Sequence, residues 1–223
     1  MTGSKRNLEP KIMILSLIIF IFSFGVSLYP RISFNGSGSG YDGPGDGDRA
    51  FDNASIESMV VEGAGYYLLA NSCIQSFLNQ VELQDVRGVD YSELQRLIAN
   101  AVEHITNARF AYERLVETAE RTPYNPAVIE QLKDFDYDSF MLENRLNETI
   151  FKKVEGYLSN GDITGAFRHG LSVIRSIQWL LFIVANYVEF DQMPELEISW
   201  KLNELCAEFS LFGSYTARIF HSI

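Results

Sequence analysis

Apolar residues recur at alternating intervals of four and three positions through most of the chain after residue 53. One such segment begins at Asp90, which lies three residues before Glu93 and forms a capping box with it. Its apolar positions are Leu94, Ile98, Ala101, Ile105, Ala108, Tyr112, Leu115 and Ala119. This spacing predicts a helix packed lengthwise on its neighbours. Pro123 ends the helix, because the residue before a proline avoids helical geometry.

Similar start and stop signals divide the segment that follows. Asn125 and Pro126 predict a short helix, with the Asn as the cap and the Pro as the first helical residue. Asp136 or Asp138 then caps a further helix, which the apolar pattern carries to Leu158.

The most apolar segment of the C-terminal half begins after Asp162 and runs to Val188. It is apolar enough to resemble a membrane span, but Arg175 lies inside it and favours a buried core helix. A last helix follows Pro194, and a first one covers about Ser55 to Glu82. The sequence therefore predicts an all-α fold for residues 53–223, an up-and-down helical bundle of about five long helices plus one short helix.

A second hydrophobic pattern lies near the start of the chain, where residues 12–29 contain no charged side chain. Residues 1–11 before it form a basic head with Lys5, Arg6 and Lys11, whereas the residues after it are mainly acidic. The positive-inside rule then keeps the N-terminus in the cytoplasm and places everything after residue 30 outside the membrane. The segment is a signal-anchor by its length, and a cleaved signal peptide, with secretion of the rest, is the alternative.

Residues 30–52 are rich in Gly, Ser and Asp and contain little that could be buried. This composition predicts a flexible linker between the membrane segment and the extracytoplasmic bundle of residues 53–223.

Charge limits the partners that the chain can bind. The formal net charge is −11, from 18 Lys and Arg against 29 Asp and Glu, and no local basic cluster offsets it after the head. Nucleic acid and anionic lipid surfaces are thereby disfavoured as ligands.

Three carboxylates on alternate residues, Asp134, Asp136 and Asp138, are the candidate metal ligands. Such side chains converge on a hard cation when the backbone forms a loop. The alternative is that they cap a helix and face solvent, because Ser139 and Arg145 stand where a calcium loop needs Gly and Glu.

Two other sets of residues are candidates for binding and for covalent bonding. Tyr66, Tyr67, Trp179 and Trp200 could line a groove between helices for an apolar ligand, and the alternative is that they pack in the core. Cys73 and Cys206 lie on the first and last long helices and could form a disulfide in an oxidising compartment, or remain free buried thiols.

The chain contains no catalytic motif that we recognise, no phosphate-binding loop and no cofactor signature. We therefore expect no enzyme and no cofactor, and a membrane-tethered, extracytoplasmic protein-interaction or scaffold module with a protein partner. The first alternative is a ligand-binding sensor with an aromatic pocket between helices, and the second is a carboxylate- and metal-dependent enzyme. The oligomeric state is left open.

Overall fold

The computed structural model describes residues 53–121 and 123–223, except for the side chains of residues 53–58 and 84–87. The predicted basic head, membrane segment and linker, residues 1–52, lie outside the described residues. Seven α-helices and no strand make up the described part. The four long helices are α1 (Asn53–Arg87), α2 (Tyr91–Arg121), α6 (Ile163–Glu189) and α7 (Leu196–Ser222). The three short helices are α3 (Pro126–Asp134), α4 (Tyr137–Asn144) and α5 (Glu148–Leu158). The predicted all-helical fold is confirmed.

The caps predicted from the sequence are present where α2 and α6 begin. The Glu93 backbone N–H donates to Asp90 Oδ1 at 3.2 Å, and the Gly165 N–H donates to Asp162 Oδ1 at 2.8 Å. Gly161, just before the second cap, has φ +71°, a conformation that favours glycine. The short polar turn before Asp162 therefore separates α5 from α6 as predicted.

The long helix predicted from Asp136 or Asp138 to Leu158 is divided into two, which makes seven helices where the sequence predicted six. Asp136 caps α4, but Arg145 adopts the left-handed conformation with φ 51° and ends that helix. Asn147 then accepts a hydrogen bond from the Ile150 N–H at 3.1 Å and starts α5. The hydrogen bond of the Asn147 side chain to the backbone therefore starts a new helix instead of allowing α4 to continue.

The long helices run antiparallel to their neighbours. Arg114 of α2 pairs with Glu62 of α1 at 2.8 Å, and the end of α1 connects to the start of α2 through a short loop. The Gln95 amide near the start of α2 donates to the Val188 carbonyl near the end of α6 at 3.1 Å. Farther along, Glu120 of α2 pairs with Arg168 of α6 at 2.9 Å.

Helix α7 packs against α6 and also contacts α1. The Tyr67 hydroxyl of α1 donates to the Cys206 carbonyl of α7 at 2.6 Å, and Gln75 donates to Asn203 at 3.2 Å. The core between the four long helices is aliphatic and aromatic, and its fully buried members include Phe77, Ile74, Ile98, Ile105, Leu115, Ile174, Ile177 and Leu181.

The two ends of the bundle differ in construction. At the capped end, where α1 begins, the short helices α3 to α5 cover the start of α6 and the end of α7 and form a second core. The residues of this second core are Leu132, Tyr137, Phe151, Val154, Leu158, Ile163, Ala166, Phe212, Tyr215 and Ile219. At the loop end, the chain only turns, between α1 and α2 at residues 88–90 and between α6 and α7 at residues 190–195.

Candidate functional site

The four aromatic residues proposed for a ligand pocket do not converge. Tyr67 is buried, packs against the Phe209 ring in a tilted arrangement at a centroid distance of 4.3 Å, and hydrogen-bonds to α7. Burial raises the pKa of its hydroxyl well above the usual value. Tyr66 is half-buried against the main core, whereas Trp179 on α6 and Trp200 on α7 are 64% and 70% exposed. The first pair belongs to the core, and the second pair belongs to the surface.

The three candidate metal ligands have separate environments. Asp136 caps α4 by accepting from the Ser139 N–H at 3.0 Å, and this hydrogen bond is the main cause of the lowered pKa of its carboxyl. Asp138 pairs with Lys152 at 2.9 Å, and Asp134 is exposed at the end of α3. Among the described residues, no group of three or more His, Cys, Asp and Glu side chains is placed to hold a metal ion.

Cys73 and Cys206 are both free thiols in the structure. Cys206 is buried below Tyr67, and burial raises the pKa of its thiol to about 12. Burial also raises the pKa of Cys73, although the nearby Arg96 guanidinium opposes this change. Since the thiolate is the reactive form, neither residue has the environment of a nucleophile.

A buried polar cluster between α2 and α6 was not predicted from the sequence. Gln178 is 5% exposed, donates to Thr106 Oγ1 at 2.7 Å and accepts from the Arg109 guanidinium at 3.1 Å. Glu113 lies 3.5 Å from Arg109 and 3.0 Å from Arg175. A single Gln inside an apolar run gives little signal, but a buried amide needs partners and so fixes the register of the two helices.

The outward face of α6 changes character along the helix. In its first half, Arg168 and Arg175 are exposed and pair with acids of α2. In its second half the exposed residues include the large apolar Trp179 and Phe182, then Phe190 at the C-cap, beside the polar Asn186 and Glu189. Most apolar residues of this helix are buried, as predicted for a core helix, and its exposed large apolar side chains are Trp179 and Phe182.

The apolar exposure continues around the loop end. Phe190 is 71% exposed, and Leu196 and Trp200, one turn apart on α7, are 57% and 70% exposed. Leu83 of α1 and Val89 of the α1–α2 loop are also exposed at this end. The signal in the sequence was the occurrence of Trp, Phe and Leu at positions where the helical period points away from the core.

Open hollows on the described surface include one at each end of the bundle. One, of about 550 Å³, is lined mainly by α3 and includes Asp134 and Asp136. The other, of about 420 Å³, lies beside the α1–α2 loop at Leu83 and Gly88. Neither hollow is lined by the aromatic residues proposed for a ligand pocket.

Within the described residues, one helix, Ile163–Glu189, is long and apolar enough to cross a membrane, and half of its most apolar window is buried inside the bundle. Core helices of soluble proteins share these properties, and the ion pairs of Arg168 and Arg175 with α2 are those of a helix packed in a bundle.

The chain matches no protein-family model, no curated protein and no solved structure. Function must therefore be argued from the residues and their geometry alone.

Proposed function

We propose that this chain is a membrane-tethered protein whose helical bundle lies outside the membrane and binds another protein, as an interaction or scaffold module. The observation that carries the proposal is a group of large apolar side chains exposed on the second half of α6, at its C-cap and at the start of α7. They are Trp179, Phe182, Phe190, Leu196 and Trp200. Aromatic residues of this kind dominate the energetics of protein–protein interfaces.

The exposed area is large enough to matter. A Trp or Phe side chain presents about 150 to 250 Å², so these five half- to mostly exposed side chains present about 600 Å² in total. An ordinary interface buries about 800 Å² on each partner, of which roughly half is apolar. The summed apolar area is therefore comparable with the apolar part of one side of an ordinary interface.

The same side chains argue for an interface rather than for a pocket. Trp179 and Trp200 stand on the outside of two different helices and enclose no common volume, which a small apolar ligand would require. Asp136 and Asp138 are engaged in a helix cap and an ion pair, so a metal-dependent reaction at these residues has no geometric support.

The membrane tether and the extracytoplasmic location rest on the sequence. The uncharged residues 12–29 follow a basic head, and the acids are concentrated after them. We expect the full-length chain to remain in the membrane pellet after alkaline carbonate extraction, and protease added to intact cells to degrade residues 53–223. Release of the full-length chain, or protection of its bulk in sealed cells, would overturn this part.

The interaction itself can be tested by purifying the tagged full-length chain from detergent-solubilised membranes of its host. We expect a protein to co-purify in a fixed ratio and to be lost from the double variant Trp179→Ala/Trp200→Ala. The matched control is Leu142→Ala, because Leu142 is 72% exposed on α4 at the capped end. Recovery of the wild-type chain as a lone monomer, measured by its mass in detergent, would count decisively against the proposal.

A further inference from the structure

Three residues define a surface at the turn between α6 and α7, which we call the loop-end surface: Phe190, Leu196 and Trp200. Phe190 caps α6, and Leu196 and Trp200 lie one turn apart on the same outward face at the start of α7. The loop between them is short and held in place, since the Gln192 N–H donates to the Tyr187 carbonyl at 2.9 Å and Pro194 is buried. A surface so constrained loses little conformational entropy when it binds.

Acidic side chains surround the loop-end surface. Glu189 and Asp191 flank Phe190, and Glu195 and Glu197 flank Leu196, and all four are exposed. None of the four forms an ion pair with a described side chain, and the nearby Lys201 is already paired with Glu204 at 2.9 Å. At the capped end the described acids are mixed: Asp138, Glu208 and Glu120 each pair with a Lys or Arg, whereas Asp134 and Glu148 form no ion pair with a described side chain.

Two of these acids lie at the C-terminus of α6, where a negative charge is electrostatically unfavourable. The C-terminus of a helix carries a partial negative charge, and α6 has no basic residue in its last turn to offset it. Glu189 occupies that turn, and Asp191 follows it with φ 53°, in the left-handed region. The local negative potential is therefore produced at a cost to the fold, and a cation from outside would relieve it.

The loop-end surface has an apolar centre and a rim of acidic residues, and this combination favours some binding partners over others. A second copy of this chain would bring the same unpaired acids against each other, and a lipid surface with anionic headgroups would be repelled. Phosphates of nucleic acid would be repelled for the same reason. An amphipathic helix supplies the complement, with apolar side chains at positions i, i+3 or i+4 and i+7 for the centre and Lys or Arg for the rim.

On these grounds, and resting on the interaction function proposed above, we infer that the partner presents a basic amphipathic helix that docks on the loop-end surface. Its apolar face covers Phe190, Leu196 and Trp200, and its basic residues neutralise Glu189, Asp191, Glu195 and Glu197. The docking is electrostatically steered, so its association rate falls as salt is added.

The probe for this inference is a synthetic 18-residue helix of Leu and Lys with one apolar face, titrated into the full-length chain in neutral detergent. Comparison peptides are a scrambled sequence of the same composition and a version with Glu in place of Lys. The chain has two Trp residues, so the variant Trp179→Phe leaves Trp200 as a fluorescent reporter of the surface. We expect the basic amphipathic peptide to shift the emission of Trp200 to shorter wavelength, and the other two peptides to leave it unchanged.

Substitutions in the loop-end surface test whether the basic peptide binds there. In calorimetric titrations, we expect Trp200→Ala to weaken binding of the basic peptide at least tenfold, and Glu189→Gln/Asp191→Asn to weaken it about three- to tenfold at low salt. Leu142→Ala, at the capped end, should bind as the wild type does, and circular dichroism verifies that each variant is folded. The inference is overturned if Trp200→Ala binds as tightly as Leu142→Ala, or if the scrambled or acidic peptide binds equally well.

The failure of this inference can be separated from failure of the interaction function. If a protein co-purifies in a fixed ratio with both the wild type and Trp200→Ala, the chain is an interaction module, but the loop-end surface is not its docking site. Concentration-dependent dimerisation through Trp200, or binding of the chain to anionic vesicles but not to the peptide, would likewise overturn the inference, because each names a different occupant.

Discussion

The two ends of the bundle differ in whether their aromatic side chains are covered. At the capped end, three short helices cover the ends of α6 and α7, and the aromatic side chains Phe151, Tyr137 and Tyr215 pack into a second core. At the loop end, two short turns leave Phe190 and Trp200 in solvent. Apolar residues that contribute to stability at one end are thus available for binding at the other. The comparison predicts that equivalent substitutions at the two ends have different consequences.

The largest difference is expected for removal of an aromatic side chain. Phe151→Ala should lower the free energy of unfolding by about 3 to 5 kcal/mol, because the side chain is fully buried and its loss leaves a cavity. Trp200→Ala should change it by no more than about 0.5 kcal/mol, since the side chain is mostly exposed. Urea denaturation followed by circular dichroism measures both. Similar losses in the two variants would mean that the ends are not built differently.

A smaller difference is expected at the helix caps. Asp162 caps α6 at the capped end through its hydrogen bond to the Gly165 N–H, so Asp162→Ala should cost about 1 kcal/mol of unfolding free energy. Glu195, at the corresponding position of α7, makes no side-chain cap hydrogen bond, so Glu195→Ala should cost only a few tenths of a kcal/mol. Equal costs in thermal denaturation would show that the observed cap bond is not what stabilises α6.

Neutralising the acids at the C-terminus of α6 should raise the free energy of unfolding rather than lower it. Glu189→Gln/Asp191→Asn removes two negative charges at the C-terminus of α6, and Asn tolerates the left-handed conformation of Asp191. We expect an increase of roughly 0.3 to 1 kcal/mol in unfolding free energy at low ionic strength that disappears at high salt. As a control, Glu148→Gln removes an acid from the first turn of α5 and should not stabilise. A salt-independent gain would contradict the electrostatic explanation.

The smallest effect expected is a pH dependence at the capped end. His169 lies 3.3 Å from Glu208, and burial holds the pKa of the imidazole below its usual value. The unfolded chain then binds the proton more readily, so stability should be full above pH about 6.5 and fall as the pH drops through the lowered pKa.

The measurement is the melting temperature between pH 7.5 and 5. His169→Asn should reduce the fall in this range, whereas the exposed His221 provides the control His221→Asn, which should leave it unchanged. Glu208 contributes at lower pH. Burial alone would raise the pKa of its carboxyl, but Lys153 and His169 together hold it below its usual value, so its contribution is lost only on further acidification. A melting temperature that rises on acidification would contradict both assignments.

A helix boundary could be predicted from the sequence where it depends on a side chain that bonds to nearby backbone groups. Asp90, Asp162 and the Asn125-Pro126 pair act through neighbouring backbone groups, so their helix boundaries could be predicted. The break at Arg145 could not be predicted, since an Arg that adopts the left-handed conformation carries no signal of its own.

The candidate surface was harder to predict because it depends on packing between helices. Period and composition place Trp179 and Phe182 on a helix, but they do not say how many neighbours surround it. Because α2, α5 and α7 cover only part of the circumference of α6, Trp179 and Phe182 face outward while most apolar residues of the helix are buried. For the same reason the sequence could name Trp179 and Trp200 only as candidates for binding. The expectation that they share a pocket with Tyr66 and Tyr67 depended on geometry that the sequence does not contain.

Helix α1 has 35 residues and joins the two ends of the bundle. At about 1.5 Å per residue it is about 52 Å long, which is more than six times the screening length of about 8 Å at physiological ionic strength. A charge change at Glu189 or Asp191, at the loop end, is therefore largely screened before it reaches the start of α1. The acids near the loop-end surface therefore set the potential at that end without altering the ion pairs of the capped end.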